Sequence, residues 1–381
     1  MYITDESDLE ILRELVLSKN YFRNKGPGVE SHCSRFEKDF STHMGSTYSV
    51  LVSSGTNALI CALSSLELKI EDEVIMPSFT YFATAVAIIR SGGSPIIVNV
   101  NESLMIDPIE VEAAITSRTK AIIAVHMDGH PCDMESLKNL ALKYNLVLIE
   151  DTAQACGGSY NNERLGSIGD MGCFSFNVDK IISCGEGGAL ITNNRIYYEK
   201  SLCIQDACCS LGPTFKNSFT MIKPFVGHSM RVSEISGALM RKQLSRLDDI
   251  LERLRHNQRI LKNILNECGV NTIASNDPLG DCGTTLYLKF EDALSVNKHF
   301  NNLLKSQILS FPISKRNAHA CWQWLHLIKD ERSHINYHKS QYLKSIDLLS
   351  SVLKFNVPFE MNSEQLIEYS YRVAGIINNE P

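Results

Sequence analysis

The sequence predicts an α/β protein with a mostly parallel, seven-stranded β-sheet sandwiched by helices, followed by a smaller C-terminal α/β domain. Three observations lead to this fold class. Short apolar runs rich in β-branched residues alternate with helical patterns over the first two thirds of the 381-residue chain. A long amphipathic segment and a second set of strand and helix patterns follow. The chain length is itself more typical of two domains than of one.

The predicted elements of the first part follow one another in regular order. Apolar, β-branched runs predict strands at residues 48–53, 73–76, 95–100, 121–125, 146–150, 172–176 and 189–192. Apolar residues at helical spacing predict helices at residues 57–66, 83–90, 109–115 and 134–144. Strands and helices that alternate in this way form a parallel sheet, which binds ligands at the carboxyl ends of its strands.

The last third of the chain predicts a separate, smaller unit. Residues 233–267 carry leucines and isoleucines at a spacing near 3.6, which predicts a single long helix leading out of the large domain. Beyond it, residues 284–290 predict a strand, and residues 293–305 and 363–377 predict helices. We therefore expect a large domain of residues 1–245 and a small domain of residues 246–381.

Composition excludes several classes of function. A net charge of −6 lacks the basic excess of nucleic-acid-binding proteins. The sequence contains no signal-peptide pattern and no apolar run of membrane-spanning length, so we expect a cytoplasmic protein without a membrane partner. The twelve cysteines include the adjacent pair Cys208 and Cys209 but no C-x-x-C pair. We expect reduced thiols and no metal site.

Lys180 is the most informative residue of the chain because of its neighbours in sequence. Asp151 and Gln154 precede it, Ser175 lies five residues before it, and the run Cys184-Gly185-Glu186-Gly187-Gly188 follows. A single lysine is usually a solvated surface charge. An amine placed after an acid at a strand end, beside a glycine-bounded turn, is what an enzyme needs to bind pyridoxal phosphate as a Schiff base, with the acid on the pyridine nitrogen.

Two further segments point to the same chemistry. In residues 52–58 a strand ends in small residues and a helix begins, so backbone N–H groups and the Thr56 hydroxyl can bind an anion, although such residues also serve as a plain helix cap. In residues 148–155 an apolar strand ends at Asp151.

Gly166, Gly169 and Gly172 do not have dinucleotide-binding spacing, and no ATP-binding P-loop is present. Nicotinamide and ATP sites are therefore disfavoured.

These motifs, in this order, resemble the DegT/DnrJ/EryC1/StrS family of sugar aminotransferases, which are pyridoxal phosphate enzymes of fold type I. The resemblance covers residues 26 to about 270. It rests on SSGTNAL at residues 53–59, DEVIMP at 72–77, TYFATA at 80–85, DTAQA at 151–155, FSF at 174–176, Lys180, GEGG at 185–188 and RVSEI at 231–235.

The resemblance implies a role for each matching residue. Lys180 would bind the cofactor covalently and carry a proton, and Asp151 would pair with the pyridinium nitrogen. The remaining cofactor contacts would be Gln154 to the ring hydroxyl, Tyr81 to the ring face, and Gly55, Thr56 and Ser175 to the phosphate. Tyr81 also fits a plain core aromatic.

The resemblance further implies an active site at a two-fold dimer interface. The segment around Ser229 and Arg231 would then enter the neighbouring subunit, where Ser229 stands in place of an Asn that usually reaches the partner's phosphate. We therefore expect a homodimer and name Ser229 as a cofactor-binding candidate.

The substrate half of the site departs from the family pattern. The usual His-x-Tyr-Gly is His126-Met127-Asp128-Gly129, the His after Gln-Ala is Cys156, and the usual Arg-x-His-Gly region is replaced around residues 205–209. Residues 311–327, with His319, Trp322, Trp324 and His326, fit either an acceptor pocket or an amphipathic helix.

The predicted function is transfer of an amino group to a keto-sugar in amino-sugar biosynthesis, with glutamate as the expected donor. The keto-sugar is often nucleotide-linked. The partners are therefore a small-molecule amino donor and a keto-sugar acceptor. One alternative is a sugar dehydratase of the same fold, in which a His replaces the Schiff-base Lys. Another is a non-catalytic sensor or partner protein that binds pyridoxal phosphate. The retained Lys180 argues against the dehydratase, whereas the altered substrate positions keep the sensor open.

Overall fold

The structure is a computed structural model that describes residues 3–24, 29–207, 219–329, 335 and 337–378. The strands are β1 (Tyr48–Val52), β2 (Glu73–Pro77), β3 (Ser94–Val98), β4 (Thr119–Val125), β5 (Val147–Asp151), β6 (Ser159–Tyr160), β7 (Glu163–Arg164), β8 (Met171–Ser175), β9 (Gly188–Thr192), β10 (Thr285–Lys289), β11 (Ser310–Pro312) and β12 (Val352–Asn356).

The helices are α1 (Glu6–Ser18), α2 (His32–His43), α3 (Gly55–Ser64), α4 (Ala83–Arg90), α5 (Pro108–Ala114), α6 (Met134–Tyr144), α7 (Arg195–Gln205), α8 (Glu234–Leu244), α9 (Leu247–Glu267), α10 (Ala293–Lys305), α11 (Cys321–Lys329), α12 (Leu343–Ser350) and α13 (Ser363–Asn378).

A seven-stranded sheet in the order β1-β9-β8-β5-β4-β2-β3 forms the centre of the molecule. Strand β9 runs antiparallel to both of its neighbours, and the other six strands run in one direction. Helices pack on these strands, among them α3 on β8 and β9, and α6 on β4 and β5. Strands β2, β8 and β9 are buried at every position, as expected for a sheet covered on both faces.

The carboxyl end of β5 is fixed by a buried carboxylate. Glu150 has no exposed surface, and its side chain accepts backbone N–H bonds from Gly166 at 2.7 Å, Ile168 at 2.8 Å and Gly169 at 2.7 Å. Charge-assisted bonds of this kind are what allows an ionised group to be buried. Gly166 and Gly169 therefore have a structural role here, consistent with the absence of dinucleotide-binding spacing.

His126 supplies a fourth bond to Glu150. The backbone N–H of Cys132 donates to His126 Nδ1 at 3.1 Å, so the ring proton lies on Nε2, which donates to Glu150 Oε2 at 3.1 Å. This network joins the end of β4, which precedes Asp128, to the end of β5, whose last residue is Asp151.

A second, smaller sheet has the antiparallel order β10-β12-β11. One face of this sheet belongs to a separate apolar cluster that also contains Leu261 and Leu265 of α9 and Val373 of α13. The first half of α9, from Leu247 to Leu254, packs instead into the main core. The domain boundary after residue 245 stays a prediction, because α9 contributes to both clusters.

The prediction of one helix over residues 233–267 is wrong. The segment forms α8 and α9 with a break at Ser245 and Arg246. The Arg246 side chain turns toward the first turn of α1, where it pairs with Asp5 at 2.6 Å and Asp8 at 3.0 Å. The sequence does not reveal the break, because Leu244 and Leu247 on either side are both buried and keep the apolar spacing.

No helix among the described residues is long and apolar enough to cross a bilayer. The cytoplasmic location stays a prediction.

We expect Glu150→Gln to destabilise the fold. The glutamine amide would place an N–H donor against groups that are themselves donors, so the free energy of unfolding should fall by about 2 kcal/mol or more. Urea denaturation measures this. Glu163→Gln, at an exposed position of β7, is the matched control and should stay within about 0.5 kcal/mol of the wild type. Equal effects of the two changes would contradict the role given to Glu150.

Candidate active site

The carboxyl ends of the parallel strands open onto one cavity of about 920 Å³. Seven of the residues predicted for the site line it: Gly55, Thr56, Tyr81, Asp151, Gln154, Ser175 and Lys180. They come from the segments after β1, β2, β5 and β8 and from the ends of β5 and β8. Ser229, the eighth, is not among the lining residues. The alternation of strands and helices therefore brings together residues that lie far apart in sequence.

The N-terminus of α3 forms one wall of the cavity. Ser54 caps the helix, and its side chain accepts the Asn57 N–H at 3.1 Å. Gly55 lies so close to β8 that a Cβ added to it would come within 2.7 Å of Ser175 Cβ. The free N–H groups of a helix start, the Thr56 hydroxyl and the Ser175 hydroxyl therefore converge, which is the arrangement that binds phosphate.

Asp151 is buried at the end of β5 and turns toward the cavity. Its carboxylate accepts the Thr84 hydroxyl at 3.2 Å and the Ala153 N–H at 3.2 Å. Burial raises the pKa of Asp151, and the Ala153 N–H and the charge of Lys180 oppose this rise. A cation placed against the carboxylate would also oppose the rise of its pKa. The carboxylate therefore suits a protonated ring nitrogen.

Lys180 lies in the loop between β8 and β9. Because these two strands are antiparallel neighbours, the connection of residues 176–187 leaves and returns at the same edge of the sheet, and it holds Lys180 there. The Lys180 N–H donates to the Asn177 carbonyl at 3.0 Å. Burial lowers the pKa of the Lys180 amine, whereas Asp151 and Asp128 act in the opposite direction. A lower pKa increases the neutral fraction, which is the form that attacks a carbonyl.

Gln154 and Tyr81 complete the predicted cofactor half. Gln154 Oε1 accepts the Asp128 N–H at 3.2 Å, which orients its side chain at the cavity wall. Tyr81 is 51% exposed and its ring centroid lies 5.3 Å from that of His319. Tyr81 is therefore not a core aromatic, and its contact with the cofactor ring stays a prediction.

Ser229 lies on the surface, next to residues of its own chain. Arg231 donates from Nη2 to Ser229 Oγ at 3.4 Å and forms an ion pair from Nη1 to Asp206 at 2.6 Å. The departures at Cys208 and Cys209 lie outside the described residues.

Only part of the segment 311–327 reaches the cavity. His319 lines it, whereas Trp324 is buried against Phe82 with a centroid distance of 5.0 Å. Trp322 and His326 are not among the lining residues. Burial and the neighbouring Arg316 lower the pKa of His319 to about 3, so its ring is neutral and Nε2 accepts a bond from Arg316 at 3.1 Å.

The sequence did not reveal Arg316 and Lys354, which line the same cavity. Both pair with Asp128, from Arg316 Nη1 to Oδ2 and from Lys354 Nζ to Oδ1, each at 2.6 Å. Tyr287 donates its hydroxyl to Asp128 Oδ2 at 2.8 Å. The one available signal was the alternation in β12, which places Lys354 on the face opposite Leu353 and Phe355.

The geometry agrees with the sequence comparison. A sequence model of the DegT/DnrJ/EryC1/StrS aminotransferase family matches residues 3–365. The chain belongs to this family. The predicted resemblance is thereby confirmed over nearly the whole chain, including the C-terminal part that carried none of the recognised motifs.

Named relatives and a solved structure add detail. The chain is similar to GDP-perosamine synthase of Escherichia coli O157:H7, at 35% identity over 251 residues, which are 66% of this chain and 66% of that protein. It is similar to L-glutamine:2-deoxy-scyllo-inosose aminotransferase of Streptoalloteichus tenebrarius, at 33% identity over 285 residues, 72% of this chain and 66% of that protein. The chain thus spans about two thirds of each relative's length.

An aminotransferase from Psychrobacter cryohalolentis has the same fold, with a TM-score of 0.85 at 24% identity, covering 100% of this chain and 99% of that chain. The predicted fold class is confirmed.

The prediction of pyridoxal phosphate as the cofactor is confirmed at the level of the DegT/DnrJ/EryC1/StrS family. The residues present fit this group: the convergence of α3 and Ser175 suits its phosphate, Asp151 suits its ring nitrogen, and Lys180 supplies an amine between them. The individual role of each residue stays a prediction.

We expect Asp151→Asn to keep the fold and lose turnover by on the order of 10²-fold or more, the scale seen when a preorganised electrostatic partner is removed. Steady-state kinetics with circular dichroism of the purified variant measures both. Asp249→Asn, an exposed position on α9, should leave turnover unchanged. Turnover of Asp151→Asn within a few-fold of the wild type would assign the ring nitrogen to another residue.

Proposed function

We propose that the protein is a pyridoxal-phosphate-dependent aminotransferase that moves an amino group from an amino-acid donor, glutamate by preference, to the carbonyl of a keto-sugar or related polyhydroxy ketone in amino-sugar biosynthesis. The observation that carries the proposal is the placement of Lys180 and Asp151 with the α3 N-terminus in one cavity of a chain of this family. The relatives' names include both a nucleotide-linked product and a free cyclitol substrate, so either kind of acceptor agrees with the family.

Each residue then has a defined task. When bound, pyridoxal phosphate supplies an electron sink for the bonds at the donor carbon. Lys180 holds the cofactor covalently and, once displaced, moves the proton at the reacting carbon. Asp151 keeps the ring nitrogen protonated. The α3 N-terminus, Thr56 and Ser175 hold the phosphate, while Gln154 and Tyr81 orient the ring.

The two alternatives make different demands. A dehydratase of this fold works without the Schiff-base lysine, so the retained Lys180 favours amino transfer. A sensor would bind the cofactor without consuming a donor. Mass spectrometry of the product distinguishes the two enzymes. Replacement of the acceptor's carbonyl oxygen by an amino group identifies amino transfer, whereas loss of a hydroxyl identifies the dehydratase.

We expect Lys180→Ala to abolish turnover, because both covalent attachment and the proton transfer need that amine. In the wild type, borohydride should fix the visible cofactor absorption to the peptide that contains Lys180, and glutamate should remove that absorption. Mass spectrometry of the reduced protein locates the label. Lys138→Ala, an exposed position on α6, is the control. Label on a different lysine would contradict the assignment, and absorption that glutamate leaves unchanged would favour the sensor.

We infer that the protein acts as a homodimer. Several apolar side chains near Ser229 are exposed in the single chain: Met221 at 57%, Phe225 at 41%, Val226 at 88% and, across Arg231, Phe22 at 58%. Large exposed apolar side chains grouped on one segment favour a protein interface. A two-fold dimer is also the commonest oligomer.

Under this proposal Ser229→Ala should weaken cofactor retention by roughly 0.5–1.5 kcal/mol, or up to ~3 kcal/mol if the hydroxyl bonds a charged phosphate of the partner. Light scattering of the wild type tests the dimer, and cofactor dissociation tests the contact. Ser245→Ala, an exposed position between α8 and α9, is the control. A fully active monomer would overturn the shared site, whereas unchanged retention would remove Ser229 alone from it.

A further inference from the structure

Three residues of the cavity form a charged cluster that the cofactor does not account for. Asp128 follows β4, Arg316 follows β11 and Lys354 lies on β12. The Asp128 side chain is 2% exposed, compared with 17% for Arg316 and 14% for Lys354. Two cations face one carboxylate, so the cluster carries one positive charge in excess.

The carboxylate has three hydrogen-bond partners, whereas the Lys354 ammonium has one among the residues that the structure describes. Asp128 accepts three bonds, from Arg316, Lys354 and the Tyr287 hydroxyl. Among the residues that the structure describes, Asp128 is the only hydrogen-bond partner of Lys354 Nζ, which leaves two of the three ammonium N–H groups for a ligand. Excess positive charge in a partly buried cavity is costly unless an anion pairs with it.

The cluster lies away from the phosphate-binding wall of the cofactor. The residues that converge on a phosphate follow β1 and end β8, and Asp128 follows β4. In the sheet order, β4 is separated from β8 by β5 alone. Two strand spacings amount to about 10 Å, and the four spacings from β1 amount to about 19 Å. Arg316 and Lys354 therefore face a different ligand group.

The solvent side of the cavity has the opposite charge. Asp179, Glu186 and Glu360 also line it, and all three are exposed. A diphosphate placed at such a mouth would face carboxylates. The cations lie instead on the buried wall, within reach of a small substrate that enters the cavity.

We propose that Arg316 and Lys354, fixed by Asp128, form an anion subsite for a carboxylate or phosphate group carried by the substrate itself. The inference rests on the proposed aminotransferase function and specifies its substrate class: a small acidic donor or acceptor, in preference to a nucleotide-linked sugar. Both half-reactions use one cavity, so the anion belongs to the donor, to the acceptor or to each in turn.

Equilibrium binding tests the subsite without turnover. Calorimetry of the cofactor-loaded protein should detect glutarate, a dicarboxylate that lacks an amino group, and should not detect its uncharged diamide. Arg316→Gln and Lys354→Met should each weaken glutarate binding by on the order of 10-fold or more, the effect of losing a charge-assisted bond. Lys354→Arg, which keeps the charge, should bind within a few-fold of the wild type. Lys315→Gln removes the adjacent exposed cation and should change nothing.

Two kinetic comparisons then show whether the anion that binds the subsite belongs to the amino donor or to the acceptor. Slower reaction of Arg316→Gln with glutamate, but not with alanine, assigns the subsite to the donor side chain. Slower reaction with a keto-sugar acid or phosphate, but not with an uncharged keto-sugar, assigns it to the acceptor.

The anion subsite and the aminotransferase function can be rejected separately. Equal binding of glutarate and its diamide, or unchanged glutarate binding in both Arg316→Gln and Lys354→Met, would overturn the subsite even if the wild type transaminates. Glutarate binding in a protein that consumes neither glutamate, glutamine nor any other amino-acid donor would keep the subsite and reject the aminotransferase function.

Discussion

The alternation of side chains at the end of β5 is the constraint on which the site depends. Adjacent residues of a strand point to opposite faces, so Glu150 and Asp151 enter different environments although both are buried carboxylates. Glu150 is held by backbone N–H groups of the loop before β8 and by His126. Because those bonds fix the strand end, Asp151 is held toward the cavity with few partners of its own. One carboxylate thus stabilises the position from which the other acts.

At the start of α3, residues that pack the backbone also lie beside residues that line the cavity. Gly188 of β9 passes directly beneath Ser54, and Gly55 contacts Ser175, so the helix start and the two strands are packed without intervening side chains. Close approach of backbone to backbone is what a glycine permits. The wall at the start of α3 is consequently closely packed, whereas Tyr81, Asp179 and Glu186 around it are exposed. Close backbone packing thus fixes the start of α3 against β8 and β9, and exposed side chains surround it.

The sequence predicted the sheet well, and seven of the eight residues that it named for the site line one cavity, because both depend on local signals. Each central strand is an apolar, β-branched run, and the cofactor residues follow directly after such runs; β5, predicted at 146–150, occupies Val147–Asp151. Arg316 and Lys354 were missed because they meet Asp128 from 188 and 226 residues away. No local pattern encodes such a convergence. The break at Ser245 was missed for the opposite reason, since the local apolar pattern continues unchanged through it.

The Asp128 cluster also constrains how the molecule moves. Its ion pairs tie the loop after β4 to β12 and to the segment after β11, so they fasten the small sheet to the large one. Separating the two sheets would break both ion pairs and the Tyr287 hydrogen bond to Asp128 together. Hinged opening along this side is therefore opposed by three bonds that share one carboxylate. The exposed part of the cavity wall includes Asp179, Glu186 and Glu360, so an anionic ligand meets these carboxylates before it reaches the buried cations.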